Sequence, residues 1–407
     1  MKSNYKRLGD YIHKVDNRNT ALLVDKLWGL SMTKEFRETT SNTVGTDMSL
    51  YKVMSKWQFA CDFMSVIRVN KLPVVLKTDD EPNLVSPAYP VFEVNDINAL
   101  HPEYLMMWFS RPEFDRYAVF KCDSAIRGGF DWEELCDTSL PVPPITKQKE
   151  VVKEYKVLVD RINLNNRVIQ NLEETAQAIY KQWFIDFEFP DNNGKPYRSY
   201  GGKMVESELG DVPKDWEVIS IKELCVEMKS GGTPSRDNVE YWDSRDVPWL
   251  KTGEVSNKVL VEAEEYISFK GLKNSSAKIL PINSVLIAMY GEGRTKGQVG
   301  YLKFEASTNQ ACCAMICENE YISSYLYYYL LINRDEISNM ANGGAQPNLS
   351  KALIEELRII KPTRELLLRH PFIKILNSIE SITRENISLE KIKGLLLSKL
   401  ATMEDKL

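Results

Sequence analysis

The sequence predicts an α+β protein built as two similar halves, each a globular domain followed by a long helix. Three observations carry that prediction. Residues 146–188 and 363–405 resemble each other at an offset of 217: Thr146 matches Thr363, Ile162 matches Ile379, Arg167 matches Arg384, and Leu172-Glu173 matches Leu389-Glu390. Both segments carry apolar residues at alternating steps of four and three, the pattern of a heptad seam. The stretches outside them mix short β-rich runs (YPVFEV, NSVLIAMY, ACCAMIC) with helical ones such as PEYLMMWF and SSYLYYYLLI, separated by Gly and Pro turns.

In chain order the expected parts are a first globular domain over residues 1–144, a first spacer helix over 145–189, a linker over 190–215, a second globular domain over 216–362 and a second spacer helix over 363–407. Each helix follows a short Pro-bearing stretch, LPVPPIT or LRIIKPT. The linker DNNGKPYRSYGGKMVESELGDVPKDW is rich in Gly, Pro and polar residues. In the second domain the run Tyr325, Tyr327, Tyr328 and Tyr329 could stack on bases, but beside Leu326 and Leu330 it reads as core and rim of a helix.

The first seam runs Val151, Tyr155, Leu158, Ile162, Asn165, Ile169, Leu172, Ala176, Ile179 and Trp183. The second runs Leu368, Phe372, Ile375, Ile379, Ile382, Asn386, Leu389, Lys393, Leu396 and Leu400. An unbroken helix over the first would be about 50 Å long at roughly 1.5 Å per residue. Each seam holds one Asn, and a buried amide needs a partner. Pairing Asn165 with Asn386 gives an antiparallel coiled coil in which partner numbers sum to 551, with Val151 opposite Leu400, Leu172 opposite Ile379 and Trp183 opposite Leu368. The alternative is two amphipathic helices, each packed on its own domain. Pro371 marks a place where the second helix can restart, with Pro in its first turn.

Composition narrows the classes. The 407 residues include 52 Lys+Arg and 57 Asp+Glu, a net charge of -5, with 43% hydrophobic residues, which describes a folded globular chain and argues against a plainly basic nucleic-acid binder. No run approaches the ~18 apolar residues of a membrane span, and the N-terminus MKSNYKRLGDYIHK lacks the apolar core of a signal peptide, so a cytoplasmic location is expected. The seven cysteines, Cys61, Cys122, Cys136, Cys225, Cys312, Cys313 and Cys317, form no CxxC pair and read as reduced thiols. With His13, His101 and His370 as the only histidines, imidazole metal sites and His-based catalysis have little material, and no metal site is expected.

Four blocks carry a family resemblance: ETAQAIYKQWFIDFEFP at 174–190, the following NGKPYRSYGGKMVESELGDVPKDWEV, SGGTPSRDNVEYWDSRDVPWLKTGEV at 230–255, and NGGAQPNLSKALIEELRIIKP at 342–362. Together with the domain-helix-domain-helix order they resemble the specificity subunits of type I restriction-modification enzymes. The resemblance implies two target recognition domains, each reading one half of a split, asymmetric DNA site, and two antiparallel helices that set the gap. It further implies two methyltransferase subunits gripping those helices, with restriction subunits carrying nuclease and ATP-driven translocase activity joined to them. On that reading the chain is not itself an enzyme and needs no cofactor, while S-adenosylmethionine, ATP and Mg²⁺ serve the partner subunits.

The residues agree that chemistry is lacking here. No Asn/Asp-Pro-Pro-aromatic motif occurs, and GEGRTKGQ at 291–298 fails the P-loop pattern because no Lys-Ser/Thr follows its second required Gly. Glu227-Met228-Lys229 has the spacing of a nuclease fragment, but Pro190-Asp191 lies in the linker, so catalytic residues are expected to be none.

Cations are concentrated locally. Ser49–Thr78 holds Lys52, Lys56, Arg68, Lys71 and Lys77 against Asp62 alone, and Ser268–Phe304 holds Lys270, Lys273, Lys278, Arg294, Lys296 and Lys303 against Glu292 alone. Phosphate binding needs cations only where protein meets duplex. Gly-rich turns and Arg, Asn or Gln side chains suit anion approach and base-edge contacts. The candidate DNA-binding set is therefore Lys52, Lys56, Arg127, Gly128, Gly129, Lys251, Thr252, Lys270, Lys273, Arg294, Lys296, Gln346 and Asn348. A solvated face remains open for the lysines, helix capping for Asn348 and simple turn formation for the glycines. A two-domain scaffold that binds only protein is the competing function.

Overall fold

The computed structural model describes residues 5–39, 45–124, 129–191, 193–291, 295–340 and 348–402. The chain divides into two compact units, Met1–Asn163 with Ser388–Leu407, and Leu164–Ile387, so that both long helices contribute to each unit.

The first unit is built on a four-stranded antiparallel sheet in the order Ile12–Val15, Val91–Val94, Phe59–Cys61, Val74–Leu76. Phe59 and Phe92 pair across strands with rings stacked at 4.9 Å, and Phe109 of the helix Pro102–Phe109 meets both edge-on. Val151 and Val152 of the first long helix join this core together with Leu397 and Leu400 of the second. Gln148 is fully buried and stitches the helix start to the domain: its carbonyl accepts from the His101 amide at 2.8 Å, and its amide donates to the carbonyls of Ala99 and Pro143.

The second unit centres on a five-stranded sheet, ordered Glu227–Ser230, Cys312–Ile316, Val285–Ala288, Val299–Leu302, Lys258–Leu260, antiparallel except for the last pair. Alternation along Val285–Ala288 makes two cores. Val285 and Ile287 face the helix Glu320–Ile332 and the long helices, while Leu286 faces a second layer with Leu250, Leu302 and Cys312. Tyr325, Tyr327 and Tyr328 are buried in the first of these cores, which makes them core residues, not base-stacking ones. Beyond the second core lies a three-stranded sheet, Glu265–Ile267, Val247–Leu250, Ser307–Thr308, with Glu265–Ile267 at its edge.

The first long helix spans Ile145–Tyr180 and ends in a wider π-helical turn, Lys181–Ile185. The second is interrupted. Thr363 caps a short helix, Arg364–Arg369, and the long one restarts at Phe372, after Pro371, which cannot donate a backbone hydrogen bond. Leu368 consequently falls out of the seam and is 47% exposed, so the expected pairing of Trp183 with Leu368 does not form. From Phe372 onward the seam is inward-facing: Phe372, Ile375 and Ile379 are buried and pack in one cluster with Leu172, Ala176 and Ile179. Asn165, 4% exposed, donates its amide to the Asn386 carbonyl at 2.8 Å, and Asn386 donates in turn to the Asn166 side chain at 2.8 Å. The helices therefore run antiparallel.

The segment expected as a linker is itself folded. Met204–Ser207 and Gly210–Pro213 form a hairpin, and Phe189 stacks on Tyr197 at 4.6 Å and on Trp216 at 5.1 Å. Its Gly and Pro content marks turns, while the aromatics that anchor it are few and spaced too widely to show a period.

Candidate nucleic-acid interface

The candidate cations differ in how they are held. Lys52 lies along its own domain, its side chain 12% exposed, with Nζ donating to the Tyr89 carbonyl at 2.9 Å and 3.8 Å from the Asp16 carboxylate. Burial and then neighbouring charges act on it, with the net effect of lowering its pKa. Lys56 is more open, bonded to Asp80 at 3.0 Å with its ammonium over the Trp57 ring. Lys270 is paired with Glu240, whereas Lys273, at the end of the helix Phe269–Lys273, stands exposed.

Lys251 is bridged by two carboxylates, Glu264 at 2.8 Å and Glu265 at 3.1 Å, and those hydrogen bonds raise its pKa. Thr252 is buried and donates to the Asn309 carbonyl at 2.8 Å. Both therefore face protein partners. Lys296 is half-buried in the turn before Gly297, whose φ of +79° needs a residue without a side chain. Asn348 is exposed; the helix Lys351–Glu356 is capped by Ser350, whose hydroxyl accepts from the Leu353 amide at 3.1 Å, so capping is not the role of Asn348. Gly129 has open space where a Cβ would stand. Arg127, Gly128, Arg294 and Gln346 lie outside the described residues.

The fold gathers the motif residues of the second unit. A Cβ on Gly231 would lie 2.2 Å from the carbonyl oxygens of Thr308 and Asn309, and one on Gly232 would lie 2.4 Å from the Ala277 nitrogen, so SGGTP is glycine-bearing because backbones touch there. Trp249 donates its indole N–H to the Gly232 carbonyl at 2.9 Å, and Thr233 donates to the Gln310 side chain at 2.6 Å. Three sequence-distant segments thus meet at the three-stranded sheet.

On that sheet is a cleft of about 440 Å³ that reading the sequence for charge excess missed, lined among others by Arg236, Trp242, Arg245, Glu265 and Tyr266. The Arg236 guanidinium lies 3.5 Å above the Trp242 ring centre and 5.0 Å from that of Trp249, and bonds Glu265 at 2.6 Å. Burial works to raise the Glu265 carboxyl, but the hydrogen bonds from Arg236 and Lys251 outweigh it and hold the group below its usual range. Arg245 is exposed over the Tyr266 ring, 4.9 Å from its centre. In RDNVEYWDSRD four acids stand against two bases, so a search for basic windows passes over it. The signal that was available is Arg at two positions flanking a Trp.

Among the described residues no group of three or more His, Cys, Asp or Glu could hold a metal ion, and no helix is long and apolar enough to cross a membrane.

Residues 213–393, which make up most of the second unit, match the family described as type I restriction modification DNA specificity domain. Over most of its length the chain is similar to specificity subunits of type I restriction-modification enzymes. It is 25% identical over 379 residues to the type I restriction enzyme HindI specificity subunit of Haemophilus influenzae, covering 79% of this chain and 81% of that one. The MjaIX specificity subunit of Methanocaldococcus jannaschii is 26% identical over 313 residues, covering 73% of this chain and 68% of its own. In fold the chain is similar to the crystal structure of a type I restriction-modification S subunit from M. genitalium, with a TM-score of 0.57 and 12% identity over 98% of this chain and 96% of that one.

Proposed function

We propose that this chain supplies the DNA address of a type I restriction-modification complex and performs no chemistry itself. Each globular domain reads one half of a split, asymmetric site, and the antiparallel helices set the gap between the halves and dock two methyltransferase subunits. Methyl transfer from S-adenosylmethionine, and any ATP- and Mg²⁺-dependent cleavage, take place on the partner subunits, in the cytoplasm where the DNA lies. The observation that carries this reading is the specificity domain over residues 213–393, joined to a helix repeated at an offset of 217 and paired antiparallel through Asn165 and Asn386. Among the candidate contacts, exposed Lys56, Lys273 and Asn348 suit phosphate or base approach, and Arg127, Gly128, Gly129, Lys296, Arg294 and Gln346 remain proposed with them. Lys52, Lys251, Thr252 and Lys270 already have protein partners and reach DNA only by exchanging them.

Co-expression with the methyltransferase subunits, followed by mapping of methylated adenines, tests this. A two-part motif with a fixed gap is expected. A complex that methylates all DNA alike refutes the reading and leaves the scaffold alternative.

A further inference from the structure

We infer that the Arg236–Arg245 cleft is a base-reading site of the second domain, with Arg245 as the reading residue and Arg236 as the group that holds the cleft in shape. The inference rests on the DNA-specificity reading above and deepens it by naming which chemistry of the DNA is recognised there.

Charge balance decides between phosphate and base. The cleft is lined by two cations, Arg236 and Arg245, and three carboxylates, Asp243, Glu264 and Glu265, with Lys251 bridging the two glutamates, so it carries no surplus positive charge. A phosphate site wants surplus positive charge. A mixed set of donors and acceptors suits base edges in the major groove instead, where guanine offers two acceptors and cytosine and adenine offer amino donors.

Preorganisation decides which residue reads. Arg236 is committed, sandwiched on Trp242 and Trp249 and hydrogen-bonded to Glu265. Lys251 is committed to Glu264 and Glu265. Arg245 has no ion pair among the described residues, is exposed, and has its guanidinium placed by the Tyr266 ring, with Tyr266 on the edge strand Glu265–Ile267. A planar fork resting on an aromatic ring keeps its donors in the plane free for a bidentate contact, and less freedom is lost when it binds.

The test uses the complex of this chain with its methyltransferase subunits and compares wild type, Arg245→Ala and Arg245→Lys by genome-wide mapping of methylated adenine and by binding to single-base-pair variants of the site. Arg245→Ala should relax selection at one base pair of one half-site by roughly 10- to 100-fold and leave the other half-site unchanged. Arg245→Lys should fail to restore it, because an ammonium cannot make the planar two-bond contact. Full restoration by Lys would assign a phosphate contact and overturn the inference. Unchanged selection in Arg245→Ala, with melting as in wild type, would overturn it too. Weakened complex assembly, with unaltered selection by the fraction that does assemble, would make the cleft a protein interface, a third overturning result. A wild-type complex with no sequence preference would sink the specificity reading itself, before any variant is compared.

Discussion

The basic window of the first unit and the arginine cleft of the second use positive charge in opposite ways. In the first unit, the lysines that make Ser49–Thr78 look basic are partly withdrawn: Lys77 is 3% exposed and bonded to Asp79 at 2.6 Å, and Lys52 reaches a backbone carbonyl. The same unit buries Lys34 against Asp115 at 2.7 Å, with side chains 7% and 13% exposed, a contact that ties the hairpin of Trp28–Leu30 and Phe36–Glu38 to the helix Pro112–Ser124. In the second unit's cleft the cations lie on aromatic rings at the surface. Charge excess along the sequence therefore locates strand pins as readily as it locates a ligand surface, and the state of pairing separates the two.

The largest effect should come from a buried pin. Lys34→Met leaves the Asp115 carboxylate buried with the Leu72 amide, at 3.1 Å, but without its cation. Removing one partner of a buried pair destabilises by about 3–5 kcal/mol. Thermal melting should show this loss, and Lys34→Met with Asp115→Leu should recover much of it. A single variant that melts as wild type would remove the distinction between pin and surface cation.

A charge that must be kept out gives the next effect. His370 is 4% exposed, packed on Phe184, Phe372 and Tyr321, with Nε2 bonded to the Tyr321 carbonyl at 3.0 Å and Nδ1 without a partner among the described residues. Burial, against a smaller opposing pull from the Tyr321 carbonyl, lowers its pKa to about 4. The unfolded chain, titrating near ~6.5, binds more protons in between, so stability is full above about pH 6.5 and falls as pH drops toward 4. The loss is on the order of 3 kcal/mol. Melting between pH 7 and pH 4 measures it, and His370→Gln, which keeps a donor but does not titrate in this range, should flatten the profile relative to wild type. An identical slope in both would dismiss His370 as its source.

Asn165→Ala comes third. It leaves the Asn386 carbonyl without the donor it now has at 2.8 Å, in a seam where Asn165 is 4% exposed. An orphaned buried polar group costs about 1–3 kcal/mol. Asn165→Ala with Asn386→Leu should be more stable than Asn165→Ala alone, because the one amide that then loses a partner, Asn166, is exposed to water.

How much could be read beforehand follows from the range of the interactions. The two long helices and their antiparallel sense were legible because a heptad seam is a local, periodic signal, and an Asn in each seam breaks the degeneracy of orientation. The restart after Pro371 was legible, since proline acts on its own backbone; its consequence, the loss of Leu368 from the seam, needed three dimensions. The packed hairpin at Met204–Pro213 was hidden because Phe189, Tyr197 and Trp216 meet only after folding. The fate of each lysine was hidden for the same reason: Lys251 lies 13 and 14 residues from the glutamates that hold it, and only the pairing of Trp249 with Glu265 across strands brings them together.

The smallest effect on stability should come from Lys56→Ala, and it sharpens the comparison most directly. Lys56 pairs with Asp80 at the surface, with side chains 38% and 83% exposed, so solvent screening leaves the pair worth about 0–1 kcal/mol. If Lys56 meets a phosphate, its loss should weaken binding by a similar factor on every DNA sequence and reduce the slope of log affinity against log salt by about 1. Selection among sequences should not change. That outcome is the opposite of the one expected for Arg245→Ala, where selection at a single base pair relaxes. Measuring both variants over a salt series on cognate and one-base-pair variant sites separates a positioning cation from a reading one. A Lys56→Ala complex that loses selectivity at one position would place base reading in the first unit's basic window and undo the contrast between the two regions.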